Sequence, residues 1–427
     1  MVHSLCNLAD TAAPEDAWRG RLAGRDATDR YKPERVPVGT GEVWGPEKAP
    51  IVKVPFNVPT LAGDEFRYVK EALEQRHLSG NGRFTGLCQK FLEQNLGVGR
   101  ALLTHSCTAA LEMAAILADI GAGDEVIMPS WTFSSTANAF LLRGAVPVFV
   151  DIRPDTLNID ENLIEAAVTS RSKAICVVHY AGVGAAMDVI MTVADRHGLK
   201  MIEDAAQGHF AKWQGRPLGT FGQFSAFSFH ETKNIIAGEG GALVVNDPSA
   251  FARAEIVWEK GTNRAQFQRG EIARYTWVDV GSSFLPSEIM AAFLLAQLEH
   301  GESITARRLA LWHRYYEGFS DLEAKGLIRR PLVPGECGHN GHIFYLLVAD
   351  AARRDPLLRR LSQRGINAII HYVPLHSAPA GRRFGRTVGS MTHTDSVAAS
   401  LIRLPLHLQL TEAQQDLVVA EVGRALG

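Results

Sequence analysis

Lys233 lies where a lysine side chain could take part in covalent chemistry. The stretch FSFHETKNIIAGEGGAL, from Phe227 to Leu243, places this lysine just after an apolar run and just before a loop with three glycines in four residues. A surface lysine needs no such setting. A lysine that forms a covalent imine does, because its amine must be held in place and must lose its proton easily.

Asp204 and Gln207 offer a carboxylate and an amide that could serve the same ligand. Asp204 ends the apolar stretch KMIED, and Gln207 follows three residues on. Taken alone, such an aspartate is more often an N-cap or turn residue. In the functional interpretation, the carboxylate faces a cationic ring nitrogen from the end of a strand, and Gln207 reaches the same ligand.

Three further stretches add weaker signals. THSCTAAL places Cys107 and Thr108 where a loop turns into a helix, and backbone N–H groups there bind anions. Phe133, in PSWTFSSTANAF, could stack on a planar ring, although a lone phenylalanine is more often a core residue. Ser228, five residues before Lys233, has a hydroxyl that could reach a phosphate, although most strand serines do not.

The order of these residues along the chain describes a cradle for pyridoxal 5′-phosphate. A helix-start phosphate site comes first, then an aromatic ring, a strand-end aspartate, and finally a serine and a lysine. In such a cradle the aspartate keeps the pyridine nitrogen protonated, so that the ring can accept electrons, while the lysine forms the imine. We therefore predict a pyridoxal-phosphate-dependent enzyme.

Alternating short strands and amphipathic helices must position these groups. Helical stretches such as GDEFRYVKEALEQR and TAALEMAAILADI, the latter opened by Thr108, alternate with strand-like stretches such as EVIMPS, VPVFVDI and KAICVVHY. Apolar strands with few charges indicate a mainly parallel sheet covered on both faces, hence an α/β domain. Ligands bind at the carboxyl ends of the strands in such sheets, and the candidate residues fall at such ends.

A chain of 427 residues favours two domains that share an interface. We expect an irregular N-terminal arm over residues 1–50, a large cofactor-binding domain over 51–300 and a smaller α/β C-terminal domain over 301–427. A helical stretch over 287–319 leads from the large domain to the small one, whose strand candidates include IFYLLVA and NAIIHYV.

Composition argues against several other classes of protein. A net charge of −2 leaves no broad electrostatic footprint for nucleic acid or an anionic membrane. Five scattered cysteines without a C-x-x-C pair argue against a disulfide framework or a cysteine zinc site, so we assign no metal and expect a reducing, cytoplasmic setting. No apolar run approaches the ~18 residues of a membrane span, and MVHSLCNLAD does not have the pattern of a signal peptide.

About residues 55–427 resemble the sugar-nucleotide aminotransferases of the DegT/DnrJ/EryC1/StrS family, in the fold-type I aspartate aminotransferase superfamily. The stretches GDEVIMPSWTFSSTANAF, IEDAAQGH and FSFHETKNIIAGEGGALVVND carry the resemblance. SFHETKN with EKGTNRAQFQRGEIARYTWVDVGSS is similar to the enzymes that aminate C4 of TDP-4-keto-6-deoxy-D-glucose, as in enterobacterial common antigen synthesis and in antibiotic sugar pathways such as that of calicheamicin.

This resemblance implies a role for each candidate residue. Lys233 forms the imine, and Asp204 binds the pyridine nitrogen. The other implied cofactor contacts are Gln207 beside the ring hydroxyl, Phe133 on the ring face, and Ser228 with the Cys107–Thr108 turn on the phosphate. Only the backbone of Cys107 is needed, because the family often has another residue there.

Two further assignments also rest on the resemblance alone. Asn263 matches an asparagine that reaches the cofactor phosphate of the partner subunit, which implies a homodimer or higher homo-oligomer with shared sites. HYVPLH, from His371 to His376, resembles a segment near the sugar-nucleotide site, so His371 is a candidate substrate contact.

The implied reaction transfers an amino group from an amino acid, L-glutamate by resemblance, to C4 of TDP-4-keto-6-deoxy-D-glucose. The product is a TDP-4-amino-4,6-dideoxy sugar. The gluco and galacto configurations at C4 both stay open, because the sequence pattern does not show how the sugar lies relative to Lys233. A related aminotransferase for 3-keto sugar nucleotides is the nearest alternative.

Three other interpretations fit the residues less well. A branch of this fold that removes a hydroxyl has histidine at the imine position, where this chain has Lys233. A nicotinamide-dependent enzyme needs G-x-G-x-x-G, but GVGAAM and GEGGAL end in Met187 and Leu243 instead of a third small residue. A non-catalytic regulator on the same fold has no need of an intact Lys233 and Asp204.

Overall fold

The computed structural model describes residues 53–427, and the predicted N-terminal arm over 1–50 lies outside the described residues. The described part contains fifteen α-helices, joined by loops and short 3₁₀ turns. In chain order they are α1 Glu65–Glu74, α2 Arg83–Leu96, α3 Cys107–Leu117, α4 Ser134–Leu141, α5 Glu161–Ala167, α6 Met187–His197, α7 Phe251–Trp258, α8 Arg264–Gln268, α9 Glu288–Glu299, α10 Gly301–Gly318, α11 Ser320–Ala324, α12 Arg354–Gln363, α13 Pro379–Phe384, α14 Thr392–Ser400 and α15 Glu412–Leu426.

The same residues form fourteen strands in one large and two small sheets. The large sheet has eight strands in the order β1-β9-β8-β5-β4-β2-β3-β13, and the small sheets have the orders β10-β12-β14 and β11-β6-β7. The strands are β1 Arg100–Thr104, β2 Glu125–Pro129, β3 Val146–Val150, β4 Ser172–Val178, β5 Lys200–Asp204, β6 Lys212–Trp213, β7 Arg216–Pro217, β8 Phe224–Ser228, β9 Gly241–Val245, β10 Ile328–Arg329, β11 Cys337–Gly338, β12 Phe344–Val348, β13 Arg386–Thr387 and β14 Leu401–Leu404.

The large sheet is mainly parallel, which confirms the predicted fold class. Strands β8, β5, β4, β2, β3 and β13 pair in parallel, and β9 runs antiparallel to both of its neighbours, β8 and β1. The central strands are buried along almost their whole length, as expected for a sheet covered by helices on both faces. Their carboxyl ends therefore meet at one edge, where Asp204 ends β5 and Ser228 ends β8.

Three details of the predicted elements are wrong. Helix α3 begins one residue earlier than expected, and Ser106 rather than Thr108 precedes it as the cap, because the Ser106 hydroxyl accepts a hydrogen bond from the Ala109 N–H at 3.1 Å. The helical stretch over 287–319 is two helices, α9 and α10, separated at His300. NAIIHYV forms no strand, since only Ile369 pairs, through a single bridge to Arg403.

The C-terminal part has a core of its own around the small sheet β10-β12-β14. Helices α10, α12 and α15 supply apolar side chains that pack with those of β12 and β14, among them Leu311, Leu357, Phe344, Ile402 and Val418. The strand predicted for IFYLLVA is β12. The boundary between the large and small domains at residues 300/301 stays a prediction.

None of the helices between residues 53 and 427 is both long enough and apolar enough to cross a bilayer.

Candidate active site

A cavity of about 580 Å³ opens where the carboxyl ends of the central strands face the C-terminal part of the chain. Seven of the nine residues selected from the sequence as cofactor or substrate contacts line it directly beside residues from 342–406. An eighth, His371, comes from that C-terminal wall. The predicted residues that line the cavity are Cys107, Thr108, Phe133, Asp204, Gln207, Ser228, Lys233 and His371.

Lys233 lies in a tight turn after β8, half-buried in the cavity wall. Its backbone N–H donates to the His230 carbonyl at 2.9 Å, and the loop is closed by hydrogen bonds from Glu231 N–H to Gly238 and from Ala237 N–H to Phe229. Burial is the largest effect on the side chain and lowers the pKa of the Lys233 amine, while nearby Cys107 and Asp204 oppose the shift. The amine is thus fixed in place and loses its proton more readily than a solvated lysine.

Asp204 is a buried carboxylate that holds no cation in direct contact within the described residues. Its Oδ2 accepts a hydrogen bond from the Thr136 hydroxyl at 2.7 Å, and its Oδ1 accepts one from the Ala206 N–H at 3.1 Å. Burial raises the pKa of Asp204, and these two donors only partly oppose the shift. A cationic group placed against the carboxylate would offset this cost, so the site favours a positively charged ligand atom.

Gln207 lies in the cavity wall with its amide already oriented by the protein. Its Oε1 accepts from the Ala181 N–H at 2.7 Å, and its Nε2 donates to the Tyr372 hydroxyl at 3.0 Å. Because the Tyr372 oxygen accepts from Gln207, its own proton is free to be donated to a ligand. Gln207 and Tyr372 therefore act as one polar unit on this side of the cavity.

The N-terminus of α3 and the end of β8 converge on the opposite side. Thr108, the second residue of α3, has its hydroxyl 2.8 Å from that of Ser135. Ser228 ends β8 and pairs with Gly241, the first residue of β9. Free N–H groups and hydroxyl donors at a helix start make an anion site, as predicted for a phosphate.

Gly241, one of the glycines that follow Lys233, lies where no side chain fits. A Cβ atom at this position would lie 2.4 Å from the Ser106 carbonyl carbon and 2.5 Å from the Cys107 nitrogen, both backbone atoms. Only glycine lets β9 approach the start of α3 so closely. This approach places the lysine loop beside the predicted phosphate site.

Phe133 caps the start of α4, and 61% of its surface is exposed. With this exposure, Phe133 is not a core residue of the single chain. The ring lines the cavity, 6.5 Å from the centroid of Tyr372. A planar ligand ring entering the cavity would find this aromatic face available.

His371 and Arg403 form a hydrogen-bonded pair on the C-terminal wall. The Arg403 Nη1 donates to His371 Nε2 at 2.9 Å, and His371 Nδ1 is 2.7 Å from the Tyr180 hydroxyl. Burial, followed by the charge of Arg403, holds the pKa of His371 well below its usual range. The neutral ring thus accepts from Arg403 and donates to Tyr180, because a guanidinium can only donate.

Arg403 keeps its positive charge without an acidic partner in the described part of the chain. Its guanidinium lies 4.7 Å from the centroid of the Phe56 ring. Burial lowers the pKa of Arg403, and the hydroxyls of Tyr180 and Tyr372 only partly oppose the shift. Arg308 also lines the cavity and donates to backbone carbonyls. The C-terminal wall of the cavity therefore carries two guanidinium groups, which suit anionic ligands.

Asn263 does not line the cavity of its own chain. It precedes α8, and its side-chain oxygen accepts from the Thr276 N–H at 2.8 Å. Its predicted contact with the cofactor of a partner subunit stays a prediction.

Sequence reasoning missed several residues that this cavity brings together. Thr136, Tyr372, Arg403 and His342 act on groups far away in the chain: Thr136 is 68 residues from Asp204. Tyr372 had a signal, because it lies within the HYVPLH segment. Thr136 also had one, because it lies within PSWTFSSTANAF. Arg403 and His342 had none in the periodicity or local motifs, since their contacts depend on how the chain folds.

The residues present fit pyridoxal phosphate. The cavity joins a buried carboxylate that favours a cationic nitrogen, an available aromatic face, a helix start that favours an anion, and an amine of lowered pKa. These features, on a mainly parallel sheet of this order, define a pyridoxal-phosphate-dependent aminotransferase.

The chain belongs to the DegT/DnrJ/EryC1/StrS aminotransferase family, whose sequence profile matches residues 59–423. It is 33% identical over 377 residues to the spore coat polysaccharide biosynthesis protein SpsC of Bacillus subtilis, covering 86% of this chain and 96% of that protein. These matches confirm the resemblance on which the residue roles were predicted.

Two solved structures show the same fold. The aminotransferase TlmJ from Streptoalloteichus hindustanus is 29% identical, with a TM-score of 0.80, 87% of this chain covered and 98% of that chain. DesV of S. venezuelae, solved in complex with a ketimine intermediate, is 31% identical, with a TM-score of 0.79 and the same two coverages.

Proposed function

We propose that this protein transfers an amino group from L-glutamate to C4 of TDP-4-keto-6-deoxy-D-glucose, giving a TDP-4-amino-4,6-dideoxy sugar. The observation that carries the proposal is that the Lys233 amine and the Asp204 carboxylate share one cavity of about 580 Å³. The name of the Bacillus subtilis relative, a spore coat polysaccharide biosynthesis protein, supports a sugar substrate. The similarity of SFHETKN and KGTNR to C4 aminotransferases supports the position of the ketone.

Each of the chain's own groups has a defined task in this proposal. Pyridoxal phosphate, when bound, supplies an electron sink for the substrate carbon that reacts. Asp204 would keep the ring nitrogen of the bound cofactor protonated, and the Thr136 hydroxyl keeps that carboxylate oriented. The Lys233 Nζ, with its lowered pKa, takes a proton from the amino acid and later delivers one to the sugar.

The positive wall of the cavity supports two successive anionic substrates. Glutamate brings carboxylates, and the sugar nucleotide brings a diphosphate. The chain offers the guanidinium of Arg403, which has no acidic partner among residues 53–427. Since one substrate leaves before the other enters, a single set of cations can serve both. The His371 ring, held between Tyr180 and Arg403, orients that guanidinium.

We expect the C4 ketone to be used far better than a C3 ketone on the same nucleotide. In this proposal the cofactor and the nucleotide are each held at a fixed point of one cavity, so the distance between them selects the ring carbon that can react. A misplacement of about 1 Å costs on the order of 100-fold in rate. The measurement is kcat/KM for TDP-4-keto-6-deoxyglucose and for its 3-keto isomer, each with glutamate. Equal values, or a preference for the 3-keto isomer, would place the protein in the other subgroup.

The product of the 4-keto sugar reaction also shows the configuration at C4. Lys233 delivers its proton from one face of the bound sugar, so one of the two configurations must dominate. NMR of the product from the 4-keto sugar distinguishes the gluco from the galacto form.

We also propose that two chains share each pair of sites, with Asn263 reaching the cofactor phosphate of the partner. Several large apolar side chains near Asn263 are exposed in the single chain, including Phe267, Tyr275 and Trp277, and such a patch favours an interface. We expect light scattering to give at least a dimer, and Asn263→Ala to weaken cofactor binding by about tenfold through one lost hydrogen bond to a charged group. A fully active monomer would refute the shared site.

A further inference from the structure

Asn234, the residue that follows Lys233, connects the lysine turn to residues 340–342. Its Nδ2 donates to the Asn340 carbonyl at 2.9 Å, and its Oδ1 lies 2.9 Å from the Nδ1 of His342. A backbone carbonyl can only accept, so the amide nitrogen must face Asn340 and the amide oxygen must face His342. The orientation of the Asn234 side chain is therefore fixed by the chain itself.

This orientation also fixes the proton on His342. The Asn234 oxygen can only accept, so Nδ1 of His342 carries the hydrogen. Burial, reinforced by the charges of Lys233, Arg308 and Arg403 and by His371, holds the pKa of His342 well below its usual range, so the ring stays neutral. Its Nε2 consequently keeps a lone pair, and within residues 53–427 that atom forms no hydrogen bond.

The segment that carries His342 is held from several sides. Arg308 donates to the carbonyl of Gly341 at 3.1 Å and to that of His342 at 2.5 Å. The Asn340 Nδ2 donates to the carbonyls of Gln207 and His209, at 2.8 Å each. These contacts fix the backbone, and Asn234 fixes the ring, so the lone pair of a cavity-lining group is placed with little freedom.

We propose that His342 Nε2 is a substrate-binding acceptor that takes a hydrogen bond from a sugar hydroxyl, with Asn234 as its positioning residue. This inference rests on the proposed function and names a contact within it. A neutral acceptor of this kind binds either a hydroxyl or an ammonium group. The guanidinium groups of Arg308 and Arg403 disfavour an ammonium, and the carboxylates of glutamate offer no proton, which leaves the hydroxyl groups of the keto sugar.

Measuring the two half-reactions separately distinguishes a hydrogen bond from the ammonium group of glutamate from one donated by a hydroxyl of the keto sugar. The first is followed by the loss of the cofactor's visible band on mixing with glutamate, and the second by its return on mixing the aminated enzyme with TDP-4-keto-6-deoxyglucose. His342→Asn keeps an amide near the position of Nδ1 but removes the group at Nε2. His342→Gln is one carbon longer and places an amide oxygen near the position of Nε2, so it is the matched control.

We expect His342→Asn to lose about 10- to 100-fold in the sugar half-reaction, as when a buried hydrogen-bonding group loses its partner, and to run the glutamate half-reaction within about twofold of wild type. His342→Gln is expected to recover part of the loss. Unchanged sugar kinetics in His342→Asn, or equal losses in both half-reactions, would overturn the assignment while leaving the proposed function intact. A wild-type protein that runs neither half-reaction would overturn the function itself.

Substrate analogues test the same contact without any substitution in the protein. With wild type, removing either the C2 or the C3 hydroxyl of the 4-keto sugar should lower kcat/KM by about tenfold or more for the one that binds Nε2. In His342→Asn the same analogue should cause no further loss, because the two changes remove one interaction. Full rates with both analogues on wild type, or additive losses in the variant, would contradict the proposal.

Asn234→Asp tests the positioning role. A carboxylate facing Nδ1–H raises the pKa of the imidazole, so His342 becomes protonated as the pH falls and Nε2 can no longer accept. We expect the sugar half-reaction of this variant to acquire an acid-side loss that wild type lacks, with the glutamate half-reaction unaffected. An unchanged pH profile would show that Asn234 does not set the protonation of His342.

Discussion

Lys233→Ala is expected to abolish transamination while the protein still folds. The substitution removes the amine that takes and delivers the proton, and general acid–base and covalent roles together contribute at least about 1,000-fold. Folding should not suffer, because the lost group is a buried amine whose charged form is disfavoured by its surroundings. Single-turnover kinetics with glutamate, combined with circular dichroism, measure both parts of this expectation.

The matched control is Lys70→Ala. Lys70 lies on α1 with 77% of its side chain exposed, and among the described residues its one ion pair is with Glu74, also on the surface. Surface pairs of this kind contribute little, so this variant should keep wild-type turnover. If Lys233→Ala kept turnover within about tenfold of wild type, the assignment of the lysine would be lost.

Asp204→Asn is expected to lose about 100-fold or more in turnover even when cofactor is bound. An amide carries no negative charge, so it cannot keep the ring nitrogen protonated, and electrostatic contributions of this kind are on the order of 10²–10³. The Thr136 hydroxyl can still donate to the amide oxygen, so the side chain keeps much of its geometry. Turnover with saturating cofactor is the measurement.

Without cofactor, Asp204→Asn should be at least as stable as wild type, although its turnover is lower. Burial raises the pKa of Asp204 in the folded protein, so the folded state loses stability as the pH rises from the ordinary value of an aspartate through the raised value of the folded state. The asparagine has no such cost, and the apo variant should melt at or above the wild-type temperature at pH 7. Asp195→Asn, at an exposed aspartate of α6, is the control and should change neither property. Wild-type turnover in Asp204→Asn would make Asp204 a structural residue.

The sheet could be predicted from the sequence because its central strands are buried on both faces. Stretches such as EVIMPS and KAICVVHY have apolar interiors, and the polar residues at their ends mark the edge where ligands bind. NAIIHYV has the same apolar beginning, but only Ile369 pairs with β14. His371 and Tyr372 line the cavity instead, and no local pattern separates that outcome from a strand.

The sequence predicted site residues only where the residue type and its neighbours together indicate a chemical role. A lysine before a glycine-rich loop and an aspartate at a strand end do so, and both lie in the cavity. Arg403 and His342 do not, because their importance comes from contacts with His371 and Asn234 that lie 32 and 108 residues away. Arg403 has no acidic partner among the described residues, and His342 Nε2 has a fixed lone pair. Both properties arise only when the chain folds.

The absorbance of the purified protein with pyridoxal phosphate tests the proposed function most directly. We expect a visible band that is bleached by L-glutamate and restored by TDP-4-keto-6-deoxyglucose, with a 4-amino sugar nucleotide formed in an amount equal to the enzyme sites. A band that glutamate leaves unchanged, or one that the 4-keto sugar nucleotide does not restore after bleaching, would contradict an aminotransferase acting on that sugar.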